Sequence, residues 1–466
     1  MKIATFILLV CLINSSYGIY TFSFNITIPP LSSWIPSLSS IPYLNSISSI
    51  SGSSDSSAPA EPSERSESAI PPLSFVISNP DLTSVTIDLR SIQMRAEAFY
   101  KKISQTILED ATLSVPELVA KHGYPCETHT VVTPDGYILT MHRIPRGKTS
   151  HFKKRPVVFL QHGVLASSAD WLISEPEKAL GYILADAGYD VWLANNKYSK
   201  NHTSLSPDDG KFWNFSWHDI ALYDTTTMID YALSYARQEK LFYIGHSQGT
   251  TVSYVMCSEI PEYNRKIKAM FSLAPVAYMT DINSPILQFI ARGQGQLGSV
   301  LKAIGAHEFL PHNRVLGIVG NVLCRDESIT QILCTNSLFA VAGYSDKQMN
   351  TTLLPIIMRH TPAGSATKQF LHYAQGINSG EFRKWDYGSS GNVEHYGNDT
   401  PPKYQLEKVT TPVYLFYSKS DWLSGEKDVA RLYMELKNVK GAFLIADDTF
   451  NHLDYLFGIQ APELVY

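Results

Sequence analysis

The chain has 466 residues, a formal net charge of −5 and 44% hydrophobic residues. That is ample for a large core and long for one compact domain. Mild acidity, without a basic run interleaved with aromatic residues, argues against a nucleic-acid-binding protein. The sequence has no Walker loop, no His-Glu-x-x-His and no Cys-x-x-Cys. We therefore expect no metal and no organic cofactor.

The first 18 residues are typical of a secretory signal peptide. Lys2 is followed by an apolar run from Ile3 to Ile13, and small residues lead up to Gly18. The run is too short to span a bilayer, and no other uninterrupted apolar run is long enough, so we predict no transmembrane segment. Secretion also fits the Asn-x-Ser/Thr sequons at Asn25, Asn201, Asn214, Asn350 and Asn398.

Residues 19–113 are predicted to be a Ser- and Pro-rich low-complexity arm. From Ile19 to Asn79 neither helical nor strand periodicity is evident, which favours a disordered or O-glycosylated segment, with a prodomain as the alternative. Between Asp88 and Asp110, apolar residues recur at helical spacing and predict one helix near the end of the arm.

The folded core is predicted to start at Ser114. Two β-prone runs flank Thr133-Pro134-Asp135-Gly136, which indicates a hairpin. Short apolar runs then alternate with helical segments, as in a mostly parallel sheet covered by helices on both faces. The predicted strands are Val157–Leu160, Asp190–Leu193, Leu241–Ile244, Met270–Leu273, Val413–Tyr417 and Ala442–Ile445, and the predicted helices are Ala179–Ala187 and Ile220–Ala236.

A long interruption separates the fourth and fifth of these strands. It is too long for a loop, so we predict an inserted cap at residues 277–408, between core segments 114–276 and 409–466. The cap contains apolar stretches interrupted by Gly293, Gly295 and Gly298. They would either line an acyl tunnel or pack on their own neighbours. The apolar residues are Ile286, Leu287, Phe289, Ile290, Leu297, Val300, Leu301 and Ile304.

The sequence from Gly245 to Gly249 matches Gly-x-Ser-x-Gly and lies between a predicted strand and a predicted helix. This pattern is typical of a nucleophile elbow, in which a strained turn exposes the hydroxyl of Ser247. The following helix would direct its positive end towards a developing oxyanion. The alternative is an ordinary strand-to-helix turn. We favour a serine hydrolase.

Asp421 and His452 follow late predicted strands, in the order expected for the acid and the base of such an enzyme. His452 would accept the proton of Ser247, and Asp421 would fix the tautomer of His452. The predicted oxyanion donors are the backbone N–H groups of Gln248 and Val164. Nearby carboxylates are the alternative acids, and two histidines are interpreted as bracing residues. The acids are Asp428, Asp447, Asp448 and Asp454, and the histidines are His162 and His246.

Four cysteines remain after the signal peptide and allow three pairings. The favoured disulfide joins Cys324 and Cys334 and closes a short loop. Cys126 and Cys257 would then be free or buried thiols.

Many separate motifs from about Ser114 onward resemble the acid lipase family of gastric and lysosomal acid lipases. The resemblance implies an α/β-hydrolase fold with a cap (lid), and hydrolysis of acylglycerol or sterol esters. It implies Ser247, Asp421 and His452 as the triad, Val164 and Gln248 as oxyanion donors, and a cap disulfide at Cys324 and Cys334. The motifs are Gly123-Tyr124-Pro125, the run from Val132 to Leu139, Leu160-Gln161-His162-Gly163, the run from Gly188 to Leu193, the run from Gly245 to Thr250, the run from Leu273 to Ala277, the run from Thr361 to Ser365 and Asn451-His452-Leu453-Asp454.

Three features depart from this family. Residues 195–199 lack a short Gly-containing piece beside the active-site mouth, which affects the expected substrate range. The Ser-rich arm is foreign to the family, and relatives continue into a longer last helix.

The expected partner is a lipid ester at an oil–water or membrane interface, and the expected location is extracellular (secreted) or lysosomal. Two alternatives to a lipase remain at this point. One is a carboxylesterase for shorter soluble esters, and the other is a non-catalytic lipid-binding protein on the same fold.

Overall fold

The computed structural model describes residues 74–79, 82–88, 113–148, 154–197, 200–295, 301, 306–310, 341–345, 347–350 and 353–466. The predicted signal peptide, most of the arm, Asn25, the helix predicted before Asp110, and Cys324 and Cys334 lie outside these ranges. The chain divides into two units, one within residues 1–102 and one that contains residues 103–466.

The first unit contains an antiparallel hairpin of strands β1 (Ser74–Asn79) and β2 (Leu82–Asp88). The expectation that the arm has no strand was therefore wrong at this point. Both segments are rich in β-branched residues, and Asn79-Pro80-Asp81 between them has the composition of a turn. Asp88 ends a strand instead of starting the predicted helix.

The second unit is organised around an eight-stranded sheet in the order β12-β11-β8-β7-β5-β6-β4-β3. The pairs β3–β4 and β4–β6 are antiparallel, and all the other pairs are parallel. This confirms the mostly parallel sheet. The strands are β3 (Glu127–Val132), β4 (Ile138–Ile144), β5 (Val157–Gln161), β6 (Asp190–Leu193), β7 (Leu241–His246), β8 (Ile267–Leu273), β11 (Val413–Tyr417) and β12 (Val439–Leu444), while β9 (Glu308–Phe309) and β10 (Ser365–Ala366) form a small separate sheet.

Helices cover both faces of the large sheet. Along β5, Phe159 belongs to one apolar cluster, whereas Val158 and Leu160 belong to another, because successive strand residues point to opposite faces. The helices are α1 (Val115–Lys121), α2 (Leu180–Asp186), α3 (Trp217–Asp219), α4 (Thr225–Ala236), α5 (Gln248–Glu259), α6 (Tyr263–Lys266), α7 (Pro285–Arg292), α8 (Leu354–His360), α9 (Thr367–Ser379), α10 (Ser389–Tyr396), α11 (Glu426–Glu435), α12 (Asp454–Phe457) and α13 (Ala461–Leu464).

Between β8 and β11 the described chain is mainly helical. Ile290 of α7 packs against Ala374 of α9, with Leu287 and Ile377 alongside. These contacts favour the packing interpretation of this part of the cap over a tunnel lining. Within the ranges given above, no helix is long and apolar enough to cross a membrane.

A buried cation fixes the segment that follows β6. The Lys197 side chain has no exposed area, and its ammonium lies 3.1 Å from Asp224 and also pairs with Asp135. The Lys197 backbone N–H donates to Asp224 at 2.9 Å, and the ammonium lies 4.1 Å from the centre of the Tyr137 ring. Asp224 ends a π-helical turn, Ile220–Asp224, which replaces the start of the predicted helix. Lys197 therefore links the β3–β4 hairpin to this turn and to β6.

We expect Lys197→Met to destabilise the protein by about 3–5 kcal/mol at neutral pH, because it leaves Asp224 buried without its cation. Denaturant unfolding followed by tryptophan fluorescence measures this loss. Lys178→Met is the matched control, since Lys178 lies 3.6 Å from Glu175 on the surface and its loss should cost less than about 1 kcal/mol. Similar small losses for both variants would contradict the structural role of Lys197.

Candidate functional site

Ser247 occupies a strained turn between β7 and α5. Its backbone φ is 53° and its ψ is −119°, a conformation that side-chain-bearing residues rarely adopt. A Cβ atom at Gly245 would lie 2.6 Å from the carbonyl carbon of Gly249, and one at Gly249 would lie 2.2 Å from the Gln161 carbonyl oxygen. Both positions therefore need glycine, as expected of an elbow and not of an ordinary turn.

The three residues predicted as a triad come from one edge of the sheet. Ser247 follows β7, Asp421 follows β11 and His452 follows β12, and β7, β8, β11 and β12 are parallel neighbours. Parallel strands end at the same edge, so the loops after them converge. All three residues are less than 10% exposed.

His452 and Asp421 are in direct contact. His452 Nδ1 lies 2.9 Å from Asp421 Oδ2 and 3.0 Å from Oδ1. Asp421 Oδ1 also accepts hydrogen bonds from the backbone N–H groups of Leu423 at 2.8 Å and Ser424 at 2.9 Å. The carboxylate is therefore held in place by its own loop as well as by the imidazole.

The alternative acids are engaged elsewhere. Asp428 accepts from Thr280 and from the Asp281 backbone, and Asp448 pairs with Lys419 at 2.8 Å. Asp447 accepts from Gln348 at 2.7 Å, and Asp454 accepts from the Asn451 backbone N–H at 2.7 Å. Asp421 is thus the candidate acid that the structure places against His452.

Two further histidines brace the loops around Ser247. His246 Nε2–H donates to the His452 carbonyl oxygen at 2.8 Å, and burial holds the pKa of His246 well below its usual range. His162 Nδ1–H donates to the Gly163 carbonyl at 2.7 Å, and burial lowers the pKa of His162 to about 4. Both rings are neutral hydrogen-bonding groups, in agreement with their interpretation as bracing residues.

The predicted oxyanion donors flank Ser247. A Cβ atom at Gly163 would lie 3.1 Å from Ser247 Cβ, so the loop that carries Val164 runs beside the elbow. Within the described chain the Val164 N–H donates to no protein acceptor. Gln248 directly follows Ser247 and is the first residue of α5.

A segment of the cap that sequence reasoning missed holds both loops together. We name residues 341–345 the strap. The Ala342 carbonyl accepts from the backbone N–H groups of Trp422 and His452, each at 3.3 Å. The next two carbonyls of the strap bind the same loops, because Gly343 O accepts from Asn451 Nδ2 at 2.8 Å and Tyr344 O accepts from Ser420 Oγ at 2.7 Å.

The strap approaches the acid loop too closely for a side chain at Gly343. This glycine has φ of +109°, and a Cβ atom there would lie 1.9 Å from the Ser420 carbonyl oxygen. The glycine is the only sequence signal of this contact, since the strap bonds through its backbone.

Two buried carboxyl groups with raised pKa values stabilise loops of the site. Burial raises the pKa of Asp454 to about 7, and this residue holds the backbone of Asn451 next to His452. Burial also raises the pKa of Asp170 to about 7, and Asp170 accepts from Thr361 Oγ1 at 2.8 Å. Asp170 lies in a short 3₁₀ helix, Ser168–Trp171, directly after the loop of Val164.

Neither a metal centre nor a reactive thiol is evident in the described part of the chain. It contains no group of three His, Cys, Asp or Glu side chains that could hold a metal ion. Cys126 and Cys257 are free thiols, as predicted. Burial raises the pKa of Cys126 to about 11 and that of Cys257 to about 12, so both are protonated at neutral pH.

Two family models match the sequence. One is described as a partial alpha/beta-hydrolase lipase region and matches residues 115–175, and the other is described as the alpha/beta hydrolase fold and matches residues 156–459. The second covers more than half of the chain, and the sheet order and elbow agree with it. The class of this protein is therefore α/β-hydrolase.

Its relatives narrow the class further. The chain is 44% identical to Lipase 3 of Drosophila melanogaster over 354 residues, which cover 75% of this chain and 90% of the relative. It is 38% identical to gastric triacylglycerol lipase of Rattus norvegicus, with coverage of 77% and 90% respectively. It is also 38% identical to lipase lipl-1 of Caenorhabditis elegans, with coverage of 76% and 89%. The chain belongs to the acid lipase family, whose members are carboxylic ester hydrolases.

We expect Gly343→Ala to lower kcat/KM for ester hydrolysis at least about 10-fold, because the new methyl group displaces Ser420 and with it the adjacent Asp421. A circular dichroism spectrum tests whether the variant is folded. Gly388→Ala is the matched control, because Gly388 has a similar φ of +80° but no atom near its Cβ position. Equal losses in both variants would assign the effect to backbone strain and contradict the role of the strap.

The buried Asp170 predicts a pH-dependent effect on stability. Its folded-state pKa of about 7 exceeds the unfolded value near 3.9, so the folded state binds more protons between these values and its stability falls as pH rises. Burial lowers the pKa values of His142 and His162, so their contribution to stability rises with pH, opposite to that of Asp170. These histidine contributions cancel in the difference in stability between Asp170→Asn and the wild type, which is therefore the quantity to measure.

We expect Asp170→Asn to gain stability relative to the wild type between pH 5 and pH 8, on the order of 1–4 kcal/mol. Urea unfolding at several pH values measures this difference. Asp448→Asn, at a side chain that is 76% exposed, should show a flat difference. A flat difference for Asp170→Asn as well would contradict the raised pKa of the buried Asp170 carboxyl.

Proposed function

We propose that this protein is a secreted or lysosomal serine lipase that hydrolyses acylglycerol or sterol esters through an acyl-enzyme. One observation carries the proposal. The His452 imidazole is fixed within 3.0 Å of the buried Asp421 carboxylate, at the edge of the sheet where the strained Ser247 turn lies. A histidine–carboxylate contact with only a structural role would not need a strained serine turn at the same edge of the sheet. Ser247 has a positive φ and is flanked by two required glycines, which favours a catalytic role.

The chemistry follows from the proton positions. With Asp421 accepting from His452 Nδ1–H, the other nitrogen, Nε2, is a base. It takes the Ser247 proton as Oγ attacks the ester carbonyl, and Asp421 stabilises the resulting imidazolium. His452 then protonates the leaving alcohol. Water then attacks the acyl carbonyl as His452 takes its proton, and His452 returns that proton to Ser247 Oγ as the bond to the fatty acid breaks.

Negative charge develops on the former carbonyl oxygen in both steps. The Gln248 and Val164 N–H groups are the proposed donors to it, since the first starts α5 and the second lies in the loop against Ser247. The loss of one such donor typically costs about 10²–10³ in rate. The positive end of α5 acts in the same direction.

The lipid substrate and the location are inferred from the family and the sequence. Relatives are named lipases and gastric triacylglycerol lipases, which supports a lipid ester at an oil–water or membrane interface. The signal-like first 18 residues support secretion. Three of the predicted glycosylation sites, Asn201, Asn214 and Asn398, are exposed, and Asn350 is partly exposed. Chemistry at the site is the same for extracellular and lysosomal forms.

We expect Ser247→Ala to abolish fatty-acid release from emulsified long-chain triglyceride, with a loss of at least about 10³-fold, because no other group replaces the nucleophile. Titration at constant pH measures the release, and Ser389→Ala at an exposed serine should retain full activity. Wild-type cleavage of butyrate esters alone would identify a carboxylesterase. No cleavage of either ester by the folded wild type would favour the non-catalytic lipid-binding protein.

A further inference from the structure

The loop after β5 carries Val164, the proposed oxyanion donor, and it is joined to a segment far along the chain. We name residues 163–167 the oxyanion loop and residues 361–363 the brace. The Ala363 backbone N–H donates to the Leu165 carbonyl oxygen at 2.7 Å. Leu165 directly follows Val164, so this hydrogen bond holds the backbone within two peptide units of the proposed donor.

Leu165 has a backbone conformation that needs support from its surroundings. Its φ is +62°, in the left-handed region that residues other than glycine rarely adopt. Such a conformation persists only where neighbouring contacts determine it. Without the hydrogen bond from Ala363, Leu165 could relax to an ordinary conformation. That relaxation would re-orient the preceding peptide groups, among them the N–H of Val164.

A side-chain hydrogen bond joins the same two parts of the chain a second time. Thr361 Oγ1–H donates to Asp170 Oδ1 at 2.8 Å. Asp170 is 3% exposed and lies in the 3₁₀ helix directly after the oxyanion loop. Its backbone N–H donates to the carbonyl oxygen of Ser167, the last residue of the loop, at 3.2 Å. The brace therefore holds the oxyanion loop at Leu165 and at its carboxyl end.

Apolar packing sets the position of the brace itself. Helix α8 ends directly before Thr361. Its residues Ile356 and Ile357 are buried in the same apolar cluster as Ala169 and Trp171 of the 3₁₀ helix. The brace is thus attached to a helix that is fixed against the core, and it can hold the loop in a definite position.

Packing alone does not hold the oxyanion loop. Ala166 and Ser167 of the loop line a cavity of about 190 Å³, together with Ala363 of the brace. A close-packed interior has few voids larger than a water molecule, so the loop has space beside it that side chains do not fill. Its position therefore depends on the hydrogen bonds from the brace.

Building on the proposed chemistry at Ser247, we propose that Thr361 is a positioning residue, which with the Ala363 N–H directs the Val164 N–H towards the oxyanion. Thr361 acts through the oxyanion loop and does not touch the substrate. The oxyanion forms only after the nucleophile attacks, so loss of this positioning lowers kcat and leaves KM nearly unchanged. Thr361 is the position to test, because its hydrogen bond comes from a side chain that can be replaced.

The test uses two substrates that differ in one atom. Ethyl butyrate and its thiono analogue place an oxygen and a sulfur, respectively, where negative charge develops. Sulfur is larger and a weaker hydrogen-bond acceptor, so correctly placed oxyanion donors favour the oxygen ester. Damage to the proposed triad would slow both substrates. The oxygen-to-sulfur ratio of the two kcat values therefore reports the placement of the donors.

Thr361→Val removes the hydroxyl group and keeps a similar side-chain shape, whereas Thr361→Ser keeps the hydroxyl. Thr361→Ala is a second variant without the hydroxyl, and circular dichroism tests whether each variant is folded. Thr367→Val is the matched control. Thr367 Oγ1–H donates to the Ala306 carbonyl at 2.8 Å, so this variant loses a similar hydrogen bond outside the brace.

We expect Thr361→Val and Thr361→Ala to lower kcat for ethyl butyrate about 5- to 50-fold, less than the complete loss of one donor, and to change KM less than about 2-fold. Their oxygen-to-sulfur ratio should fall at least about 3-fold. Thr361→Ser and Thr367→Val should keep the wild-type ratio.

An unchanged ratio in the folded variants without the Thr361 hydroxyl, or an equal fall in Thr367→Val, would overturn the role of the brace. Cleavage of ethyl butyrate by the wild type would still uphold the ester chemistry in that case. Absence of Ser247-dependent cleavage of ethyl butyrate by the wild type would overturn both proposals.

Discussion

The candidate site depends above all on holding one carboxylate in a fixed position inside the protein. Asp421 is 2% exposed, and a buried charge is tolerated only where hydrogen bonds replace the lost water. Two backbone N–H groups and the His452 imidazole supply them. The contact with Asp421 also fixes the orientation of the His452 imidazole. One set of hydrogen bonds therefore both solvates the buried carboxylate and orients the general base.

The sheet brings the parts of this arrangement together, and the cap completes it. Parallel β7, β11 and β12 deliver Ser247, Asp421 and His452 to one edge. The strap then fixes the loops of the acid and the histidine relative to each other through the Ala342 carbonyl. The strap therefore contributes to the geometry of the candidate site. Movement of the strap would change the alignment of Asp421 and His452.

Much of the core was predictable because its signals are local. Fully apolar runs such as Val157–Leu160 predicted the central strands, and the chain order of Ser247, Asp421 and His452 predicted which residues would lie together at the edge of the sheet. The strap was not predictable, since it acts through backbone carbonyls and leaves only Gly343 as a trace. The hairpin β1–β2 was not predicted, because the Ser-rich composition of the arm favoured disorder. Its turn and its β-branched residues were the local signals that indicated the hairpin.

Covalent trapping of the nucleophile tests the central claim most directly. A long-chain alkyl phosphonate that mimics the tetrahedral intermediate would be incubated with the full-length protein, and the modified residue identified by peptide mass spectrometry. The account predicts one adduct, on Ser247, that forms at least about 10²-fold more slowly in Asp421→Asn, where the imidazole loses the carboxylate that orients it. No adduct on Ser247, or an adduct that forms equally fast without the Asp421 carboxylate, would contradict it.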